Sequence, residues 1–303
     1  MTIAPATAIF TGASGNRLIA DVFGESGHAV LLLHGGGQTR HAWRKTAERL
    51  AQAGWTAYAL DQRGHGDSEW VADAAYAFAD FAADAVAVAD ALAGRSGERP
   101  AVVGASLGGI AALLAEGEAE KSGRGSLFSQ LVLVDVTPRV DSAGIDKIQG
   151  FMRAHGEGFR SVAEARRGRC RLSAAPSAPA LPSGAQEKSA ALSRRALALA
   201  LGSAVHGWSA GRCLEAAGSR GGPGCRRSPD RNPGAALVRG GASELVQEAH
   251  AQEFLELVPH ADYVDVAEAR HMVAGDSNEN FSAAILEFLG RNAGEAPGGT
   301  IRK

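Results

Sequence analysis

One serine lies between glycines at the end of an apolar run, in the stretch AVVGASLGGI (101–110). Ser106 is the centre of a G-x-S-x-G pattern, with strand-like residues before it and the helix-like run IAALLAE after it. A sharp strand-to-helix turn needs small neighbours and lifts the hydroxyl above the sheet edge, near the positive end of the helix dipole. We therefore predict that Ser106 is a nucleophile. The alternative is a glycine-lined turn in which the serine is incidental.

A serine hydroxyl becomes an effective nucleophile when a base takes its proton, and histidine suits this because its pKa lies near neutrality. We select His271, which follows the last predicted strand, because chain order then places the nucleophile first and the base last. Other histidines fit less well. His34 and His65 have glycine neighbours and are expected to shape turns, and His260 follows a proline at a helix end.

The third member of such a site is an acid that orients the imidazole and stabilises its charged form. Asp135 ends LVLVDV (131–136), the strand after the nucleophile helix. Glu244 follows LVRGGAS one strand later, although Ser243 is the position at which an acid is expected. We favour Asp135 and keep Glu244 as the alternative acid; either could instead be a helix N-cap or a solvated loop acid.

A tetrahedral oxyanion needs backbone N–H donors. One predicted donor is the amide of Leu107, next to the nucleophile. The other is expected from the glycine-rich loop HGGG (34–37), with Gly36 as the first choice. Glycines allow the main chain to approach the substrate oxygen closely. On its own, HGGG is also compatible with a simple flexible turn.

Strand-like and helix-like segments alternate along most of the chain. The predicted strands are TAIF, RLIADVFG, HAVLLLHG, WTAYALD, PAVVGAS, LVLVDV, AALVRGG and ADYVDVA. The predicted helices cover 41–53, about 75–93, GGIAALLAEGEAE, about 244–258 and about 278–290. This alternation predicts an α/β fold in which a mainly parallel central sheet is covered by helices on both faces.

The periodicity disappears in residues from about 166 to 235. This stretch holds 12 Lys+Arg against 3 Asp+Glu, all three cysteines and six of the eleven prolines. Composition alone favours a basic linker rich in Pro, Ser and Ala. However, codons that encode CRLSAAPSAP can also encode a sequence like AYLPHRPRP when they are read from one nucleotide later. With the same shift, RRALALALGSAVHG can give DGRWRWHWDPRFM. We therefore hypothesise that the stretch is translated out of frame; the alternative is a buried functional segment with alternating Ala and Leu.

These patterns predict how the chain is divided. The core is expected in residues 1–140 and 235–291, and residues 141–234 are expected to form a cap insertion. Within that insertion, residues from about 166 to 235 are expected to be poorly ordered, so that the cap region is disrupted. Residues 292–303 have the composition of a flexible tail.

Composition limits the classes of partner. A chain of 303 residues with a formal net charge of −2 argues against nucleic acid or an anionic membrane as the main partner, so a small-molecule substrate is expected. No run reaches membrane-spanning length, and MTIAPATAIFTG lacks the features of a secretory signal. Three cysteines without metal-ligand spacing favour the cytoplasm. The oligomeric state has no signal in the sequence.

The chain resembles the α/β-hydrolase superfamily. The matching stretches are LLLHGGG, ALDQRGHGDSE, VVGASLGG, LVLVDVTP, LVRGGASELV and ARHMVAGD, which cover roughly residues 17–140 and 235–291. The resemblance implies a triad of Ser106, His271 and an acid at either of the two strand ends, and a structural role for the D-x-R-G-x-G-x-S loop. Two departures are Arg270, where the family usually has glycine, and the cap region, which is normally helical.

The resemblance implies a serine hydrolase that cleaves a small or medium ester or a related acyl substrate through an acyl-enzyme, with no metal or organic cofactor. Relatives that use an aspartate nucleophile fit less well because the chain has Ser106. Three alternatives stay open. They are a catalytically impaired protein of the same fold with a frameshifted cap, a cofactor-free perhydrolase or haloperoxidase, and a C–C bond hydrolase.

Overall fold

A computed structural model describes residues 5–71, 75–138, 234–243, 245–267 and 278–293. The predictions for His271, for Glu244, for the cap insertion between residues 139 and 233, and for the tail from residue 294 lie outside the described residues.

Eight strands form one sheet in the described part of the chain. They are β1 (Ala6–Thr11), β2 (Arg17–Phe23), β3 (Ala29–Leu33), β4 (Thr56–Leu60), β5 (Ala101–Ala105), β6 (Gln130–Val134), β7 (Gly234–Gly240) and β8 (Asp262–Val266). Five α-helices accompany them among the described residues: α1 (Arg44–Gln52), α2 (Phe78–Ser96), α3 (Leu107–Lys121), α4 (Glu248–Leu257) and α5 (Asn278–Ala293). A short 3₁₀ helix, Arg40–Trp43, leads into α1.

The strands lie in the order β1-β2-β4-β3-β5-β6-β7-β8. β1 pairs antiparallel with β2, and β2 pairs antiparallel with β4; every later pair is parallel. The mainly parallel α/β sheet predicted from the alternation of elements is therefore confirmed. Since parallel strands point the same way, the loops that follow β3, β5, β6 and β7 all emerge at one edge of the sheet.

Helices cover both faces of the sheet, and successive residues of each inner strand alternate between the two resulting cores. In β3, Leu31 and Leu33 pack in a cluster with α2, α3 and α4, whereas Val30 and Leu32 pack in a second cluster with α1 and α5. This is why the inner strands are continuously apolar, as expected for parallel strands buried on both faces.

The helix expected over 41–53 begins as the 3₁₀ helix Arg40–Trp43 and continues as α1. Two other predicted helices begin later in the structure than in the sequence pattern. The helix expected from about residue 75 begins at Phe78, because the Asp80 carboxylate accepts a hydrogen bond of 2.7 Å from the N–H of Ala77 and fixes that residue as the N-cap. The helix expected from about residue 244 begins at Glu248, because the Ser243 side chain holds the preceding residues in a turn.

None of the described helices is both long enough and apolar enough to cross a membrane.

Candidate active site

Ser106 occupies the turn between β5 and α3. Its backbone angles, φ 47° and ψ −113°, belong to a region that side chains other than glycine rarely adopt. The turn is held by hydrogen bonds on both sides, since the N–H of Ser106 donates to the Val134 carbonyl at 3.3 Å and its carbonyl accepts from the Ile110 N–H at 3.0 Å. The hydroxyl is therefore placed at the carboxyl edge of the sheet and at the N-terminus of α3.

The glycines around Ser106 let the strand and the helix approach closely. A Cβ atom added to Gly104 would lie 2.6 Å from the carbonyl carbon of Gly108, and this distance is shorter than any allowed contact. A Cβ on Gly108 would collide with the Leu33 carbonyl, and a Cβ on Gly109 would collide with the Val136 side chain. The small residues of the motif are therefore required by the packing of α3 across β3, β5 and the chain after β6.

The glycine-rich loop after β3 lies over Ser106. A Cβ added to Gly35 would lie 3.5 Å from the Ser106 Cβ. Two amides of this loop are occupied, because the Gly35 N–H donates to Gln38 Oε1 at 3.0 Å and the Gly37 N–H donates to His65 Nε2 at 3.1 Å. Within the described part of the chain, the N–H of Gly36 has no acceptor. Gly36 is thus the amide of this loop that is available to a ligand.

His34 ties the glycine-rich loop to the loop after β4. Its Nε2 accepts from the backbone N–H of Gln62 at 3.2 Å, so the ring proton is on Nδ1, which donates to the Gly35 carbonyl at 2.8 Å. The Gln62 side-chain amide returns a bond of 2.6 Å to the His34 carbonyl. Complete burial lowers the pKa of His34 to about 4. A neutral imidazole therefore shapes this turn, and His65 contributes a second tie.

Asp135 is completely buried directly after β6, and its φ is 51°. Its Oδ1 accepts from the Gly240 N–H at 3.1 Å, and its Oδ2 accepts from the Ser243 hydroxyl at 2.7 Å. The backbone N–H of Asp135 donates to the Val238 carbonyl at 2.8 Å. Both carboxylate oxygens are therefore held by groups from the end of β7 and the loop that follows it.

Ser106 and Asp135 follow paired residues of neighbouring strands. Ala105 of β5 lies in register with Val134 of β6, so the two functional candidates emerge side by side at the same edge. In the described part of the chain, they are the two residues other than glycine that have positive φ. Such backbone strain concentrates at active sites. The shared feature makes this edge the candidate active site.

The loop after β4 lies at the same edge of the sheet and is held in place by buried ion pairs. Arg63 forms a bidentate pair with Asp84, with two N–H···O distances of 2.7 Å, and both side chains are buried. Arg40 binds the buried Asp61. Burial opposes the charge of Arg40, but hydrogen bonds to carboxylates outweigh the effect of burial and raise the pKa of Arg40.

Among the described residues, no group of three or more His, Cys, Asp or Glu side chains is arranged to hold a metal ion.

The structure places Ser106, Leu107, Gly36 and Asp135 at one edge of the sheet. His271 and Glu244 lie outside the described residues, so their positions relative to Ser106 stay predictions. Sequence reasoning did not identify the bond between Ser243 and Asp135. The sequence did contain one indication of this bond. Position 243 is where an acid of the site is expected, so its side chain was expected to lie beside the site.

Comparison with known proteins identifies one family. Residues 30–284 match the sequence profile of a family described as "Alpha/beta hydrolase family". An esterase of Mycobacterium tuberculosis is 37% identical over 116 residues, which are 38% of this chain and 35% of the esterase. A Variovorax paradoxus protein named as the carbamate hydrolase RutD is 42% identical over 87 residues, which are 29% of this chain and 32% of that protein. The aligned parts thus span about a third of each relative.

Solved structures have the same fold. The structure of E-2-(acetamidomethylene)succinate hydrolase matches with a TM-score of 0.65 and 22% sequence identity, covering 94% of this chain and 99% of the other. At this level of identity, the match concerns the arrangement of strands and helices.

Proposed function

The chain belongs to the alpha/beta hydrolase family, and from that premise we propose that it is a serine hydrolase for a small or medium ester or related acyl compound. The observation that carries the proposal is the backbone of Ser106, which is held at φ 47° and ψ −113° between β5 and α3. This backbone conformation costs free energy. A functional role accounts for the cost, because the strained turn presents the serine hydroxyl above the edge of the sheet.

The proposed reaction proceeds in two stages. Ser106 Oγ attacks the acyl carbon while the imidazole of His271 takes the hydroxyl proton and gives it to the leaving alkoxide. A water molecule then adds its hydroxyl to the acyl carbon and its proton to the imidazole, which releases the carboxylic acid and returns the proton to Ser106. Asp135 orients the imidazole and stabilises its charged form in both stages.

Two backbone amides are proposed to bind the oxyanion that forms in each stage. The amide of Leu107 begins α3, where the helix dipole favours negative charge. The amide of Gly36 has no acceptor in the described part of the chain, whereas its neighbours at 35 and 37 are hydrogen-bonded. Removing one oxyanion-hole donor of this kind costs on the order of 10²–10³ in kcat.

The names of the relatives support the proposed substrate class. One is an esterase and the other is named as a carbamate hydrolase. Esters and carbamates both present an acyl carbon bonded to a leaving oxygen or nitrogen, which is the group that a serine nucleophile attacks. We therefore extend the proposal to acyl compounds related to esters.

The proposal is tested with a fluorophosphonate probe and with p-nitrophenyl acetate. The wild-type chain is expected to be labelled and to hydrolyse the ester, and Ser106→Ala is expected to abolish both. Ser122→Ala is the matched control, because Ser122 caps the opposite end of α3 and is exposed. Labelling or turnover that survives in Ser106→Ala refutes the assignment of the nucleophile. A wild-type chain that does not label favours the catalytically impaired alternative.

A further inference from the structure

We propose that Ser243 is a positioning residue for the catalytic acid, and this inference rests on the proposed function in which Asp135 orients the base. Ser243 lies in the loop between β7 and α4, whereas Asp135 follows β6. These residues are far apart in the chain, but the Ser243 Oγ lies 2.7 Å from Asp135 Oδ2. The contact joins two loops at the edge that carries Ser106.

The direction of this hydrogen bond is fixed by the other partners of Ser243. A hydroxyl has one proton and two lone pairs. The Ser243 Oγ accepts from the Leu245 N–H at 3.1 Å and from the Val246 N–H at 3.2 Å. Its lone pairs are therefore used, and its proton points to the carboxylate of Asp135. The Ser243 hydroxyl therefore has one available orientation, and the Asp135 oxygen that accepts its hydrogen bond is held in one place.

The two oxygens of the carboxylate are held by the last residue of β7 and by the loop that follows it. The Gly240 N–H donates to Oδ1 at 3.1 Å, and the Ser243 hydroxyl donates to Oδ2. Two donors on different oxygens fix the plane of the carboxyl group, which determines where an imidazole N–H must lie to reach it. Because Asp135 is completely buried, these bonds also stabilise its negative charge.

Removing the Ser243 hydroxyl should therefore change catalysis in a specific way. Ser243→Ala is expected to lower kcat by about tenfold, the usual size of one hydrogen bond to a charged group, with little change in KM. It is also expected to move the acidic limb of the pH–rate profile to lower pH, because a carboxylate that is no longer held in place stabilises the protonated imidazole less well. Ser243→Thr keeps the hydroxyl and is expected to restore both properties.

Ser126→Ala is the matched control. The Ser126 hydroxyl donates to the buried carboxylate of Glu116, but this pair lies before β6, at the opposite edge of the sheet. The control therefore removes the same kind of bond and is expected to leave kcat and the pH profile unchanged. If Ser243→Ala labels with fluorophosphonate and retains the wild-type kcat and pH profile, the inference is wrong. A wild-type chain that does not label refutes the proposed function instead.

A reciprocal exchange tests the contact without removing the turn. Asp135→Asn alone is expected to lose most activity, and its Asn is compatible with the positive φ at this position. Adding Ser243→Asp keeps an oxygen that accepts from the Leu245 and Val246 amides, and it returns a carboxylate to within reach of the same point. The double variant is expected to recover at least about tenfold in kcat relative to the single variant. Recovery would show that a side chain at position 243 reaches the place of the acid. Where Ser243→Ala fails to fold, Ser243→Thr decides the inference, which is wrong if this variant folds, labels with fluorophosphonate and still has an about tenfold lower kcat.

Discussion

At the scale of single residues, the positive φ angles of Ser106 and Asp135 oppose the stability of the fold. Each such conformation costs about 1–3 kcal/mol, and it persists because the surrounding hydrogen bonds and packing leave no alternative. At Ser106 these are the bonds with Val134 and Ile110, together with the close crossing of α3. The site is thus held by the sheet and helix rather than by local preference.

Relief of this strain gives a first prediction. Ser106→Gly is expected to be more stable than Ser106→Ala by about 1 kcal/mol, because glycine adopts φ 47° without a steric cost while its greater freedom in the unfolded chain offsets part of the gain. Both variants are expected to be inactive. Urea unfolding of the two variants at pH 7 measures the difference. An alanine variant of equal or greater stability would show that the backbone at this position is not strained.

His34 gives a second prediction, about pH. Burial lowers its pKa from 6.5 to about 4 in the folded chain. Between these values the unfolded chain binds a proton and the folded chain does not, so His34 supports stability fully above pH 6.5 and progressively less as the pH falls to about 4. The loss amounts to about 3 kcal/mol. Urea unfolding from pH 7 to pH 4 is expected to show this loss in the wild type and not in His34→Gln. Parallel curves for the two chains would contradict it.

The residue types and their spacing were sufficient to predict Ser106, Leu107 and Asp135 as functional candidates. They were not sufficient to predict the bond from Ser243 to Asp135, because no spacing rule connects loops that follow different strands. The histidines at 34 and 65 were expected to shape turns. Their bonds to Gln62 and Gly37 show that they do so between two loops, which glycine neighbours alone do not indicate.

At the scale of elements, the crossing of α3 over the strands leads to a third prediction. Gly108→Ala is expected to destabilise the fold by about 1–3 kcal/mol, because the new methyl group meets the backbone carbonyl of Leu33, which has little freedom to move. Gly94→Ala is the matched control in α2. A Cβ there has no neighbour within 4 Å, so this variant is expected to gain about 0.5–1 kcal/mol from helix propensity. Thermal unfolding distinguishes the opposite signs, and equal shifts would contradict the packing argument.

The existence and type of the elements were predictable, but two helix starts and the strand order were not. Hydrophobic periodicity does not record hydrogen bonds between side chains and nearby backbone amides, so it did not show that those of Asp80 and Ser243 precede the starts of α2 and α4. The place of β4 between β2 and β3 depends on pairing between distant segments, which apolar patterns do not record.

At the scale of the whole molecule, the hypothesis that residues from about 166 to 235 are out of frame gives a fourth prediction. A chain with the frame restored is expected to have a higher Tm and a higher kcat/KM for p-nitrophenyl acetate, because helical cap residues would bury apolar surface near Ser106. Differential scanning calorimetry and steady-state kinetics on both chains provide the comparison. Equal values, or a loss in the restored chain, would favour the segment as it stands.

The pairing of β6 with β7 has a kinetic consequence. The strands are parallel neighbours, yet about a hundred residues of chain separate the end of one from the start of the other. Closing a loop of that length costs about 4 kcal/mol of chain entropy before any contact compensates for it. The pairings among β1 to β6 close shorter stretches of chain, the longest being the 67 residues between β3 and β5, so we expect the pairing of β6 with β7 to form after them. We therefore expect the Gly240 and Ser243 donors to reach Asp135 late in folding, so that its carboxylate stays in contact with water until β7 pairs with β6.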